Sequence, residues 1–354
     1  MQQIQDQRKK KVLVSCFKQI GRCTVSCILV LLTQFALTLV LHFFPASSLL
    51  VQLTLSVVVL VFVLGLGRWC RRIVGVYASA PALVFFNLIF VWAVYIFIVR
   101  QAIPYFISIV FNIEVTLLIL GVCSILSSDP GLVTHGSSDA NKLIETKAFG
   151  VEAHNESPLS NYFMFPAQFM HVSISIHALL LLCNGMVPFL SQGSALLKRV
   201  RYCKSCKAYI KGFDHHCPAF GNCIGQNNYV LFMILLAGFL TTEASYIVCL
   251  SQFSRGSQIL GGTWFETDLA GSLVVSTMLF SLLQVIWQGV FFTWHLYCIC
   301  FNIRTDEWIN WKKYPEFQFV IQSQPGESFT RVMFKNPYDN DYLQNVKEFL
   351  SINC

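Results

Sequence analysis

The chain has 354 residues, of which 55% are hydrophobic and only 12% charged, with a mean hydropathy of +0.58. Soluble domains carry about 25% charged residues, so this deficit excludes a soluble protein and points to one that spans a membrane. The net charge of +7 does not point to nucleic acid, because the basic residues stand at the ends of apolar segments, where they set orientation.

Residues 1–23 read as a basic arm, with Arg8, Lys9, Lys10, Lys11, Lys18 and Arg22. Four apolar runs occupy residues 24–126. The first, about Thr24 to Phe44, is long enough to span, since roughly 20 residues cross the hydrocarbon core. Its length and the lack of an A-x-A site after it argue against a cleavable signal peptide. The uncharged link Pro45-Ala46-Ser47-Ser48 leads to a second run, about Leu49 to Gly67. The basic loop Arg68-Trp69-Cys70-Arg71-Arg72 precedes a third run, about Ala80 to Val99. Arg100 to Pro104 turns the chain into a fourth run that ends near Leu126. Positive charge marks the cytosolic side. The N-terminus is therefore expected in the cytosol, and the chain is cytosolic again at Ser127-Ser128-Asp129-Pro130-Gly131.

Residues 127–200 read as a cytosolic loop. Asn155-Glu156-Ser157 matches a glycosylation acceptor, which this topology leaves unused. Residues 161–192 form an atypical apolar insert: Val172 to Leu190 is apolar but carries Ser173, Ser175, His177 and Asn184, with His171 just before. A span there would carry the following stretch to the far side. The insert is therefore expected in the interface or against the bundle. A second reading is translated intron, since Ser160-Asn161 can be encoded with a GTAA donor and Gln192 by CAG.

Residues 201–228 are rich in cysteine and histidine. Two more spans fill 229–301, the first about Tyr229 to Leu250 and the last about Leu269 to Phe301. The loop between them, Ser251 to Asp268, is expected on the non-cytosolic side. Arg304, Lys312 and Lys313 mark a cytosolic tail, 302–354, with a Pro325-Gly326 turn and an amphipathic helix from about Asp341 to Leu350. The expected fold is an all-α integral membrane protein. It has about six transmembrane helices and a small cytosolic zinc-binding, cysteine-rich domain between the fourth and fifth.

The chemistry concentrates in 201–228. Cys203-x2-Cys206, then nine residues to His216, then six to Cys223, gives a Cys3His set. Thiolates and imidazole suit tetrahedral Zn²⁺, and four protein ligands close the site, which makes it structural. Cysteines at metal spacing beside histidines fit a reducing compartment better than a disulfide framework. Cys217, His215 and Asp214 remain. A thiol has a pKa of about 8.5, and the thiolate is the nucleophile. An imidazole can take the proton while a carboxylate fixes its tautomer. A thiolate beside a membrane suits acyl transfer. The plain alternative is that Asp214 and His215 are solvated loop residues.

Most other cysteines (Cys27, Cys123, Cys183, Cys249, Cys298, Cys300) read as small packing hydrophobes. Cys16, Cys23 and Cys27 stand where juxtamembrane acylation occurs, or pack. Ionisable residues within the spans are sparse, with Glu114 in the fourth, Glu243 in the fifth and His295 in the last. An intramembrane acid is a functional candidate by default, but one per span makes no relay, which disfavours a transporter or channel.

The stretch resembles the DHHC cysteine-rich domain of protein S-acyltransferases (palmitoyltransferases). The residues that carry the resemblance are Asp214-His215-His216-Cys217-Pro218, Asn222-Cys223-Ile224-Gly225 and Asn228. Asp129-Pro130-Gly131, Asn302-Ile303-Arg304-Thr305-Asp306-Glu307 and Asn336-Pro337-Tyr338-Asp339 with Asn345 and Phe349 resemble the family's flanking motifs, in order. The resemblance implies an acylated nucleophile at Cys217, a base at His215 oriented by Asp214, and a zinc ligand at His216. It also implies acyl-CoA as donor and membrane-associated proteins with cytosolic cysteines as acceptors, with an acyl-chain cavity among the spans and contact with membrane lipid. Nucleic acid is not an implied partner. Asn345 would help hold the fold near the site. The implied location is the endomembranes (Golgi or ER) or the plasma membrane, with N-terminus, cysteine-rich domain and C-terminus cytosolic. The family's second zinc site is not matched: Tyr202 stands at a His position and Tyr209 at a Cys position, and no upstream C-x2-C exists. One zinc site is therefore expected. Ala219 replaces a Trp and Arg304 a Thr of the family pattern. A zinc-bearing membrane scaffold of weak catalytic power is the alternative of a different class.

Overall fold

A computed structural model describes residues 2–44, 47–74, 77–133, 199–259, 269–321 and 331–353. The insert 161–192, the acceptor at Asn155 and residues 260–268 of the expected loop lie outside these residues; residues 251–259, expected in that loop, instead continue the helix that begins at Tyr229.

Among the described residues six helices are long and apolar enough to cross a membrane, which makes the chain a multi-pass membrane protein. They are α1 (Gln2–Phe43), α2 (Leu49–Val74), α3 (Ala80–Val94, extended by a π turn to Val99), α4 (Tyr105–Ser127), α5 (Tyr229–Ile259) and α6 (Leu269–Cys300). Hydrocarbon offers no hydrogen bonds, so each backbone group must be satisfied within its helix. Hydroxyls follow the same rule. Thr33 donates to the carbonyl of Leu29 (2.7 Å), Thr54 to Leu50 (2.8 Å) and Thr116 to Asn112 (2.7 Å). The backbone of residues 2–23, within the expected basic arm, is helical and continuous with the rest of α1.

The chain divides into two compact units. One comprises residues 1–119, 218–220 and 238–289; the other comprises 120–217, 221–237 and 290–354. The first is a helical bundle in which some of the polar groups pair with one another. Tyr95 packs on Phe111 with ring centroids 4.4 Å apart, and Phe111 on Tyr246 at 5.9 Å. The Tyr246 hydroxyl meets Thr277 Oγ1 at 2.8 Å, and Trp92 Nε1 donates to Asn112 at 3.0 Å. These two pairs avoid the cost of an unmade hydrogen bond.

The second unit carries the cysteine-rich stretch as two antiparallel hairpins. β1 (Val200–Cys203) pairs with β2 (Ala208–Lys211), and β3 (His215–Cys217) pairs with β4 (Asn222–Ile224). Gly212 between them has φ +55, a left-handed conformation that suits glycine. Cys203, Ile210, Phe213 and Cys223 form the small core of the hairpins. A chain this short has little apolar area to bury, so it needs another staple. The tail adds helix α7 (Thr305–Asn310), a hairpin of β5 (Gln318–Ile321) with β6 (Arg331–Phe334), and helix α8 (Tyr342–Asn353). Its core is Cys298, Ile303 and Phe317, covered by Trp294, Trp311, Tyr314, Phe334 and Tyr338.

Candidate functional site

Side chains alternate across a strand, and β3 uses that alternation to separate two tasks. His216 points toward the other hairpin. Its Nδ1 lies 3.4 Å from Cys206 Sγ and 3.6 Å from Cys223 Sγ, and the two sulfurs are 3.2 Å apart. With Cys203 these atoms lie within 4.8 Å of one another, a group that could hold a metal ion. Tetrahedral zinc with Zn–S near 2.3 Å and Zn–N near 2.0 Å places such ligands about 3.6–3.8 Å apart, so the donor set fits. The electrostatics agree. Hydrogen bonds from Cys206 and then Cys223, acting against burial, pull Cys203 far below an ordinary thiol, while Cys203 pushes Cys206 and Cys223 up. Three crowded sulfurs cannot all ionise without a cation.

His215 and Cys217, two residues apart on β3, share the opposite face. Asp214 is fully buried, and its Oδ2 accepts from His215 Nδ1 at 2.7 Å. Burial alone would raise the Asp214 pKa. The hydrogen bond and charge of His215, then His295 and Arg304, outweigh it and hold the carboxyl well below its usual range. Burial likewise pulls His215 down, but the Asp214 hydrogen bond and then Cys217 raise it to about 9. Nδ1 is occupied, so Nε2, buried and free of any other hydrogen bond, is the nitrogen left for the Cys217 thiol. The thiol itself is buried.

The post-span segment clamps Asp214 from outside. Thr305 N–H donates to Oδ1 at 2.9 Å, and Asp306 N–H donates to the Asp214 carbonyl at 3.0 Å. Glu307 caps α7 through the Arg304 N–H (2.9 Å) and takes both arms of Arg199, at 2.8 and 2.6 Å. Asn345 Nδ2 donates to the carbonyl of Cys300 at 2.8 Å, which ties α8 to the end of α6. On the other side, Asn222 Nδ2 donates to the carbonyls of Ile125 and Ser128, both at 2.9 Å. Asn228 Oδ1 accepts from Gly225 N–H at 2.9 Å. Asp129 Oδ1 receives the N–H groups of Gly131 and Leu132, so the Asp-Pro-Gly turn folds on itself against the hairpins.

Tyr202 and Tyr209 face each other across β1 and β2, with ring centroids 5.1 Å apart. An aromatic cross-strand pair therefore stands where the family pattern expects ligands. The structure also adds a residue that spacing did not reveal. His295, on α6, lies with Nδ1 3.8 Å from Asp214 Oδ2, and Asp214, His215 and His295 form a second group with ligating atoms within 4.8 Å. The only sequence signal was an imidazole inside an apolar span. A cavity of about 530 Å³, lined by Leu31, Gln34, Thr38, Phe90 and Leu273 among others, includes none of the residues around Cys217.

Comparison with known proteins agrees with this geometry. The model of the family described as DHHC palmitoyltransferase matches residues 190–312. Probable protein S-acyltransferase 15 of Arabidopsis thaliana is 32% identical over 160 residues, 44% of this chain and 56% of that protein. Palmitoyltransferase ZDHHC18 of Rattus norvegicus is 34% identical over 113 residues, 31% of this chain and 28% of that protein. Palmitoyltransferase AKR1 of Mortierella alpina is 30% identical over 130 residues, 33% of this chain and 23% of that protein. The chain thus spans between 23% and 56% of the length of these relatives.

Proposed function

We propose that the protein is a protein S-acyltransferase, a reading supported by the match of residues 190–312 to the model of the DHHC palmitoyltransferase family. It moves a fatty acyl group from acyl-CoA to cysteines of membrane-associated proteins through an acyl-Cys217 intermediate. The observation that carries the reading is the Asp214–His215 contact of 2.7 Å, with Cys217 as the next partner of the same imidazole.

The reaction has two balanced halves, a ping-pong course. In the first, the Cys217 thiol gives its proton to His215 Nε2, and its sulfur attacks the thioester carbonyl of acyl-CoA. The bond to the CoA sulfur breaks, and that sulfur leaves with the proton from His215. In the second, an acceptor thiol gives its proton to His215 and attacks the Cys217 thioester, and Cys217 leaves as thiolate. Asp214 stays ionised, holds the Nδ1 proton and offsets the imidazolium charge. The N-terminus, the cysteine-rich domain and the tail face the cytosol, where acyl-CoA and the acceptor cysteines meet them at the membrane.

Cys203, Cys206, His216 and Cys223 would hold one zinc ion, which supplies folding energy to the two hairpins when bound. His216 therefore positions β3, and His215 handles the proton.

Metabolic labelling with a clickable fatty acid tests the reading. The wild type should incorporate label that hydroxylamine removes, and Cys217→Ser should incorporate none. Label unchanged in Cys217→Ser would leave only the scaffold reading.

A further inference from the structure

His295 is fully buried on α6 within a cage of rings. Phe291 lies 4.6 Å from its centroid, Phe232 4.9 Å, His215 5.6 Å and Tyr229 5.8 Å. Such a cage would accept a phenylalanine. An imidazole there leaves Nε2 buried with no hydrogen-bond partner, which costs free energy. Packing therefore does not explain the residue. Its other nitrogen does have partners: Nδ1 meets the Tyr229 hydroxyl at 2.9 Å and lies 3.8 Å from Asp214 Oδ2. Tyr229 is fixed in turn, with Arg304 4.7 Å above its ring and Phe349 edge-on at 5.2 Å.

We propose that His295 is a positioning residue: held by the Tyr229 hydroxyl, its imidazole supports the Asp214 carboxylate from the membrane side, so that His215 keeps its aim at Cys217. The inference rests on the acyltransferase reading for its purpose, but not for its geometry. Thr305 fixes Oδ1 from the tail, while Oδ2 carries His215 and faces His295. With Nδ1 protonated, His295 donates to Tyr229 Oη and presents a positive edge to Oδ2. With Nδ1 unprotonated, it accepts from Tyr229 and orients that hydroxyl. In either tautomer the imidazole and the phenol constrain each other, and a buried network whose members polarise one another resists reorientation. A small misplacement of a catalytic pair is enough to lose much of its rate.

The test uses the full chain in lipid nanodiscs and two readouts: alkylation of Cys217 by iodoacetamide, followed on its peptide by mass spectrometry, and single-turnover acylation from palmitoyl-CoA. His295→Phe should slow both by about tenfold or more, with zinc content, melting temperature and the half-saturating palmitoyl-CoA concentration unchanged. His295→Asn, whose amide can still reach Tyr229, should restore most of both rates. Wild-type alkylation and acylation rates in His295→Phe would overturn the inference. If His295→Phe loses zinc or fails to fold, Tyr229→Phe decides. A slowed, zinc-replete Tyr229→Phe supports the inference, and wild-type rates in it overturn it. If the wild type alkylates but takes no acyl group, the acyltransferase reading falls, and the alkylation comparison alone decides the role of His295.

Discussion

Arg199 and Glu307 form a bidentate ion pair, 2.6 Å at its shorter contact, with side chains only 10% and 1% exposed. The pair joins the residue before β1 to the first helix of the tail. Arg199 also reaches Asn302 Oδ1 at 2.7 Å and covers the Tyr338 ring at 4.2 Å. Burial would lower the Arg199 pKa, but Glu307 raises it above the ordinary value, so the guanidinium stays charged. Removing one partner strands the other charge in the interior, which costs about 3–5 kcal/mol. Glu307→Gln should therefore lower the thermal unfolding midpoint of the purified protein and take zinc binding with it. An unchanged midpoint would contradict the assignment of this pair as a structural tie.

Gly225 follows β4 at a point where the backbone of three segments meets. A Cβ there would stand 2.3 Å from the Pro130 carbonyl oxygen and 2.7 Å from Ile210 Cγ2. Overpacking of this kind costs about 1–3 kcal/mol, and here the neighbour is backbone that cannot rotate away. Gly225→Ala should reduce folded, zinc-bearing protein, whereas Gly65→Ala, which meets nothing within 4 Å, should not. Size-exclusion yield and metal content read the difference.

One metal ion per chain is expected. Among the described residues Cys203, Cys206, His216 and Cys223 could hold one, while Tyr202 and Tyr209 contribute an aromatic pair, worth about 0.5–1.5 kcal/mol. Elemental analysis of the purified chain should give one zinc. Chelation should unfold the hairpins, because the metal's binding energy is folding energy. Two zinc ions per chain would refute the assignment.

Asp214→Asn keeps an acceptor for Thr305 N–H but removes the charge that holds the His215 proton on Nδ1 and stabilises its imidazolium. Acylation of Cys217 should fall by roughly 10²–10⁴-fold, while zinc content stays at the wild-type level, because Asp214 is outside the sulfur cluster. A rate within a factor of three would show that His215 needs no carboxylate.

Much of the architecture was legible because the signals are local. Each span announces itself as about 20 apolar residues, and Cys203, Cys206, His216 and Cys223 are close enough in sequence for spacing to suggest a shared metal. The chain from 200 to 224 folds as two hairpins, and pairing of His216 with Cys223 in register helps bring the four side chains together. What was not legible depends on distance along the chain. Thr305 N–H reaches Asp214 across 91 positions and Arg199 reaches Glu307 across 108; no periodicity encodes such contacts. His295 read as a stray polar residue in a span, because only the packing of α5 and α6 residues around it puts it against Asp214. The β5–β6 hairpin escaped for another reason: QFVI and RVMF are four-residue runs, too short to stand out in a polar tail. Tyr202 and Tyr209 were visible as departures from a pattern, but their contact needs the register of β1 on β2.

The central claim is that Cys217 carries the acyl group. The most direct measurement is mass spectrometry of the full chain after a short incubation with palmitoyl-CoA in nanodiscs, with the modified peptide sequenced. The account predicts one hydroxylamine-sensitive palmitoyl group on Cys217, absent from Cys217→Ser and transferred when an acceptor thiol is added. A palmitoyl group found only on other cysteines, or one on Cys217 that no acceptor thiol can remove, would contradict it.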